Sequence, residues 1–220
     1  MSEKSNTEKR LRNYLDSLHN DTAFLIDTIP ERTDPAFLDL SVEQLFIDTS
    51  RNSSFFQALI DWQPDEHRIS AVKDILDTIT QTFRPTLLFT TDIPRTFITI
   101  KKLNGEYILY DRCDGIEPIH EISDSAIIIH GTLESDAYAI IQVAENDSQK
   151  LTLSLQGYPG VYPTPIPFSI EKTEEDYVYK IHGPHYSSLV IPIEYISEFD
   201  LLVNYSPREK RLEFQGFDKN

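Results

Sequence analysis

The sequence contains little glycine and almost no cysteine, and each shortage excludes a class of protein. Its seven glycines are too scattered to form a dinucleotide-binding fingerprint or a phosphate-binding P-loop, so no nucleotide site is predicted. The single cysteine, Cys113, cannot form an internal disulfide, so the fold does not depend on an oxidising compartment. The Gly-x-Ser-x-Gly motif is also missing, which removes the sequence signature of a serine hydrolase.

Long apolar runs are missing as well. No run approaches the ~20 residues that a membrane-spanning helix needs. Residues 1–10, MSEKSNTEKR, lack the apolar segment of a secretory signal. We therefore expect a cytoplasmic protein that does not associate with membranes.

Basic residues are scarce relative to acidic ones. The chain has 20 Lys and Arg against 36 Asp and Glu, which gives a formal net charge of −16 at pH 7. Nucleic-acid binding is not expected, because it needs basic groups that neutralise phosphates. Residues 113–149 contain no Lys or Arg, and we predict that their acids attract a basic protein partner. The acids assigned to this role are Asp114, Glu117, Glu121, Asp124, Glu134 and Asp136.

The clearest structural signal lies in residues 96–111, where two β-rich runs flank Asn104 and Gly105. Both residues tolerate positive φ, as a type I′ turn requires, so a two-residue hairpin is predicted. This loop length places Leu103 opposite Glu106. Both faces of the hairpin are apolar, so we expect a helix of this chain, another strand layer or a partner to cover part of the second face.

The apolar spacing is helical before Pro85 and alternates after it. Helices are predicted on a stripe of leucines, from Ser41, over 55–62 and over 65–83. The leucines of that stripe are Leu11, Leu15 and Leu18. Beyond Pro85, short alternating runs are separated by turns, without the helical segments that parallel crossovers need.

This order of elements predicts an α+β fold in a single domain, 1–220. N-terminal helices, in residues 1–85, are expected to pack on a large antiparallel meandering β-sheet or open barrel formed by residues 86–220.

Residues 157–168, GYPGVYPTPIPF, contain four prolines that favour an extended, polyproline-like path. Tyr158 and Tyr162 lie on this segment, and tyrosine is a residue type enriched in interface hot spots. Its ring also binds Lys and Arg cations. We therefore predict that the two tyrosines anchor the basic partner.

His182 and His185 form the one histidine pair with metal-ligand spacing. Two imidazoles three residues apart could share a zinc ion in a metal-dependent hydrolase. No second ligand pair has recognisable spacing, so the sequence predicts no metal and no other cofactor.

The leading prediction is a non-enzymatic interaction protein that binds and neutralises or chaperones a basic protein, as an immunity-protein or antitoxin-like inhibitor does. Two alternatives stay open. One is a metal-dependent hydrolase that uses His182 and His185. The other is a β-barrel that holds a small apolar ligand, which the many inward-facing Ile, Leu and Phe residues favour. The partner's identity and the oligomeric state do not follow from the sequence.

Overall fold

A computed structural model describes residues 24–30, 42–88, 92–112, 115–162, 165–183, 186–205, 214 and 216–218. These residues form two α-helices, one 3₁₀ helix and twelve β-strands. By their contacts they divide into two compact units. Unit 1 lies within Met1–Trp62, Ile100–Glu117 and Ser197–Asn220, and unit 2 within Gln63–Thr99 and Pro118–Ile196. The single domain over 1–220 stays a prediction.

Unit 1 is a mixed sheet with one short helix. Its elements are β1 (Phe24–Pro30), β2 (Val42–Asp48), α1 (Ser54–Ile60), the second half of β3 (Thr96–Leu103), β4 (Glu106–Asp111) and β12 (Asp200–Tyr205). The strand order is β1-β2-β12-β4-β3, and β12 runs parallel to β4. The prediction of a wholly antiparallel sheet is therefore wrong at this pair. A parallel pair needs a long connection, and the chain of unit 2 supplies one here.

The β3–β4 hairpin is confirmed. Leu103 pairs with Glu106, and the turn residues Asn104 and Gly105 have positive φ angles of 52° and 90°. The Asp218 carboxylate accepts hydrogen bonds from the backbone N–H groups of both turn residues, at 3.2 and 2.8 Å. The turn is therefore closed by its own backbone geometry and by a carboxylate near the end of the chain.

The second face of the hairpin is covered, as expected. Within unit 1, Leu103, Ile108 and Tyr110 form a buried cluster with Ile47 and Leu202, both from neighbouring strands. Two C-terminal aromatic side chains, Phe214 and Phe217, pack against this cluster. The cover is thus supplied by the chain itself.

The helix predicted from Ser41 is wrong, because Val42–Asp48 form strand β2. The apolar run at 45–47 fits one side of a helix, and it fits equally a strand with two apolar faces. Pairing with β1 on one side and β12 on the other decides for the strand. Strand β1 likewise occupies part of the loop predicted over 27–39. The predicted leucine-stripe helix lies outside the described residues.

The other two predicted helices are confirmed with small changes of boundary. Helix α1 begins after Ser53, whose hydroxyl accepts a hydrogen bond from the Phe56 N–H at 3.1 Å. Helix α2 (Glu66–Thr80) belongs to unit 2 and begins after Asp65, whose carboxylate accepts from the Arg68 N–H at 2.8 Å. Both are N-caps, which satisfy backbone donors that the first helical turn leaves free.

Helix α2 is fixed to the rest of unit 2 by packing and by hydrogen bonds. It packs against strand β7 (Ser135–Asn146) and buries Val72 and Ile79. The Arg68 guanidinium donates to the carbonyl oxygens of Gly131 and Thr132, at 2.6 and 2.7 Å. Ile69, on the same helix, is 56% exposed.

Unit 2 is a closed antiparallel barrel of eight strands. Besides the first half of β3 and β7, its strands are β5 (Ile119–Ile122), β6 (Ala126–His130), β8 (Lys150–Gln156), β9 (Ile166–Lys172), β10 (Tyr179–His182) and β11 (Ser187–Pro192). A 3₁₀ helix (Ile193–Glu198) follows β11. The strand order is β3-β11-β10-β9-β8-β7-β6-β5, and β5 pairs back to β3. The prediction of an open sheet or open barrel is corrected by this pairing.

The barrel interior is a packed apolar core along much of its length. Phe97, Ile140, Leu153, Phe168 and Ile181 are all at most 1% exposed and belong to one cluster. Register shifts within β7, between residues 140 and 142 and between 143 and 145, mark bulges. Bulges bend a strand, and bending is what a sheet needs in order to close.

We predict that Gly105→Ala lowers the free energy of unfolding by about 1–2 kcal/mol, because an L-residue pays for the left-handed backbone that this turn requires. The added methyl group meets nothing within 4 Å, so steric crowding does not contribute. Chemical denaturation measures the loss. The matched variant Gly105→Asn should lose less, since asparagine visits this region readily; an equal loss for both variants would contradict the explanation.

Candidate functional site

One end of the barrel of unit 2 contains a cavity instead of packed side chains. Its volume is about 360 Å³. We name it the barrel-end cavity, and its lining residues are Pro118, His120, Ile129, Asp136, Tyr138, Tyr162, Tyr186 and Ser188. These residues lie at or beside the strand ends that meet at the same edge of the barrel: the starts of β5, β7 and β11 and the ends of β6 and β8.

Strand register directs the lining side chains inward. Residues directly opposite one another in an antiparallel ladder project to the same face. Phe97, in the barrel core, lies opposite His120, which lies opposite Ile129, which lies opposite Asp136. On the far side of β3, Ser188 lies opposite the core residue Ile181. The cavity is therefore a continuation of the barrel interior.

Three tyrosine rings and one imidazole are four of its eight lining residues. The rings of Tyr138 and Tyr162 meet edge to face, with centroids 5.7 Å apart and planes at 61°. The rings of His120 and Tyr186 are also 5.7 Å apart, with planes tilted by 34°. The lining thus includes two pairs of aromatic rings, and within each pair the ring planes are set at an angle to one another.

Tyr162 reaches the cavity from a turn and not from a strand. Its backbone N–H donates to the Tyr158 carbonyl at 3.1 Å, and its own carbonyl accepts from the buried Gln156 side chain at 2.7 Å. The extended polyproline-like path predicted over 157–168 is therefore replaced, at residues 158–162, by a hydrogen-bonded turn. Gln156 also donates to the Gly157 carbonyl at 3.1 Å and so holds both ends of the turn.

Two glycines provide space for the tyrosine rings. A Cβ atom at Gly157 would come within 2.5 Å of the Tyr162 ring and 3.2 Å of the Tyr138 ring. A Cβ atom at Gly183 would come within 2.2 Å of the Tyr186 ring. Any larger residue at either position would displace a wall of the cavity.

Buried polar atoms in the cavity wall have no hydrogen-bond partner. Both ring nitrogens of His120 are in this state, although the residue is only 1% exposed, and so is the Tyr186 hydroxyl. Desolvation by burial, with a smaller contribution from the charge of His130, lowers the pKa of His120 to about 4. At neutral pH His120 is therefore an uncharged ring with one free donor and one free acceptor.

The other ionisable groups of the wall also have shifted pKa values. Burial, followed by a hydrogen bond with Tyr162, raises the pKa of Tyr138, and burial raises that of Tyr186. Desolvation, followed by the nearby charge of Glu134, raises the pKa of Asp136. The cavity therefore presents neutral phenols and, on an exposed residue at its rim, the Asp136 carboxylate.

The structure brings together two of the residues predicted to bind a partner, Asp136 and Tyr162, in the wall of this cavity. Glu134 is exposed at the turn just before β7, and Tyr158 is 47% exposed. Asp114 lies outside the described residues.

The remaining predicted acids have partners within the chain. Glu117, in unit 1, is 3% exposed, and its carboxylate lies 2.9 Å from the Lys101 ammonium. In unit 2, Glu121 lies 3.5 Å from the His130 ring, and the hydrogen bond between them is the main cause of its lowered pKa. Asp124 lies 3.2 Å from the Arg95 guanidinium.

The metal hypothesis is not supported by any cluster within the described ranges, where no three His, Cys, Asp or Glu side chains are grouped so as to hold an ion. His182 is exposed at the end of β10. Its predicted partner His185 lies outside the described residues, so the pair itself stays a prediction.

Among the helices that the structure describes, none is long and apolar enough to cross a membrane. Comparison of the chain with protein-family models, with curated proteins and with solved structures found no match. The function is therefore inferred from the geometry of the cavity alone.

Sequence reasoning missed most of the cavity. The sequence patterns place none of His120, Tyr138, Tyr186 and Ser188 among the predicted site residues. A signal was nevertheless present in the sequence. Alternate residues of a strand share one face, and Asp136 and Tyr138 alternate in this way with the buried Ile140 of β7. Tyr186 and Ser188 alternate in the same way with the buried Val190 of β11.

We predict that acidification from pH 6.5 to about 4 destabilises the protein through His120, because the unfolded state binds a proton in this window and the folded state does not. The contribution is about 3 kcal/mol, from 1.36 kcal/mol per pKa unit. Urea denaturation at several pH values measures it. His120→Phe should flatten the dependence. Parallel curves for wild type and His120→Phe would refute the assignment.

Proposed function

We propose that this protein binds a small organic molecule in the barrel-end cavity. The observation that carries the proposal is the set of unpartnered polar atoms, both His120 nitrogens and the Tyr186 hydroxyl, in the wall of a cavity of about 360 Å³. Buried polar groups without partners cost free energy. The His120 and Tyr186 atoms have almost no accessible surface, so a ligand with complementary groups would recover this free energy once a small rotation turns the two rings toward it.

The size and position of the cavity support this function. Small-molecule sites are concave, mostly apolar and roughly 300–1,000 Å³ in volume, and the mouths of β-barrels are among their preferred places. This cavity falls at the lower end of that range, so its ligand is small. An eight-stranded barrel has an interior wide enough for packed side chains or for one small ligand.

The packed part of the barrel offsets the stability that the fold loses by having a cavity at one end. Core residues such as Phe97 and Phe168 are fully buried beyond it, so the fold does not need the ligand in order to bury its apolar surface. The proposed function is therefore binding to a preformed site, with little ordering of the protein when the ligand enters.

The cavity favours the third of the three functions considered from the sequence, with one change. A purely apolar ligand would leave the His120 and Tyr186 groups without partners, so the ligand should itself carry hydrogen-bonding groups. Capture of a basic protein stays a prediction. Three of its acids, Glu117, Glu121 and Asp124, already have partners within the chain.

We predict that Ser188→Phe blocks ligand entry, because a phenyl group on this inward-facing position fills the cavity. A fragment library screened by saturation-transfer NMR provides the measurement. Fragments that bind the wild-type protein should be lost in Ser188→Phe. The matched control is Ser187→Phe, which places the same ring on the neighbouring, exposed position of β11.

A melting curve establishes that each variant is folded. Ile129→Trp, on β6, gives a second block from a different strand. Fragments that bind both blocked variants as well as they bind the wild-type protein would show that the cavity is not the binding site.

A further inference from the structure

We propose that the ligand of the barrel-end cavity is an organic cation, a small molecule with a substituted ammonium group that is held by the tyrosine rings and neutralised by Asp136. This inference rests on the proposed binding function and specifies its ligand class. It depends on three features of the wall: the tyrosine rings, the negative charge of Asp136 and the neutral imidazole of His120.

The aromatic faces suit a cation. The negative face of an aromatic ring attracts an ammonium group within about 6 Å of its centre, and several rings at different angles can surround one. Tyr138 and Tyr162 supply two such rings at 61° to one another, and Tyr186 supplies a third. The hydroxyls of Tyr138 and Tyr186 are protonated at neutral pH, as phenols ordinarily are, and burial raises their pKa values further.

The charged group in the cavity wall is negative. Asp136 contributes a carboxylate, and none of the described residues that line the cavity is Lys or Arg. An anionic ligand would lose part of its hydration without gaining a counter-ion, and the Asp136 carboxylate would repel it. A cation would gain the Asp136 carboxylate and would relieve the incomplete solvation that raises the pKa of this residue.

The imidazole adds hydrogen bonds without adding repulsion. His120 is neutral at pH 7 and offers one donor and one acceptor. A protonated histidine here would repel a cationic ligand, whereas the neutral ring can pair with a hydroxyl or carbonyl group of the same molecule. The wall thus matches a ligand with an ammonium group and a nearby polar oxygen.

Choline and 3,3-dimethylbutan-1-ol form a matched pair of probes, because they have nearly the same shape and differ in charge. Titration calorimetry or ligand-observed NMR on the full chain should show that choline binds at least about tenfold tighter, the size expected for cation–π and ion-pair contacts in a partly desolvated site. Equal binding, or tighter binding of the alcohol, would overturn the inference.

Two variants test the residues. Asp136→Asn should weaken choline binding by about tenfold and leave the alcohol unaffected, whereas the exposed neighbour Glu134→Gln should change choline binding by less than about twofold. Tyr162→Leu should weaken choline binding more than alcohol binding. Equal effects of Asp136→Asn and Glu134→Gln would show that only the general negative charge matters and would reject the assigned counter-ion.

The results separate this inference from the proposed function. Fragments that enter the cavity and are blocked by Ser188→Phe, without preference for the cation, overturn the cation inference and leave the binding function intact. Failure of choline, the alcohol and the fragment library alike to bind overturns both.

Discussion

The pairing of β3 with β5 is the interaction on which unit 2 depends, because it turns a row of antiparallel strands into a closed barrel. It also fixes which side chains face inward. A slip of one residue would turn His120 outward and bring its neighbours in β5 into the interior. Closure and the chemistry of the cavity are thus set by the same ladder, in which Phe97 lies opposite His120.

The barrel interior changes in composition along its axis. Its packed part is formed by aliphatic and phenylalanine side chains that are almost completely buried. Its open end carries tyrosines, a histidine and an aspartate, several of which have unsatisfied polar atoms or shifted pKa values. Such groups cost stability at functional sites, and the packed part of the core offsets that cost.

Local sequence signals were sufficient to predict the elements whose conformation depends on neighbouring residues. The β3–β4 hairpin follows from the turn chemistry of Asn104 and Gly105, and α2 follows from its apolar period and the capping residue Asp65. The coarse α+β arrangement also followed from the change of period near Pro85. These features depend on residues that are close together in the chain.

Elements whose conformation depends on residues far away in the sequence could not be predicted from local signals. Strand β2 looked helical because only its neighbours β1 and β12 determine its conformation. Strand β5 could not be predicted, because it is only four residues long and its histidine and glutamate interrupt the apolar pattern. The cavity was missed for the same reason, since its wall combines residues from separate strands and one turn, which only barrel closure brings together.

The division of the chain into units has a consequence for synthesis on the ribosome. Unit 2 is built from residues up to Ile196, whereas β12, which lies between β2 and β4 in unit 1, comes only afterwards. The emerging chain can therefore complete the barrel while the unit 1 sheet still lacks its middle strand. Until β12 is translated, β2 and β4 each expose an unpaired edge, and such edges are the surfaces through which nascent chains aggregate.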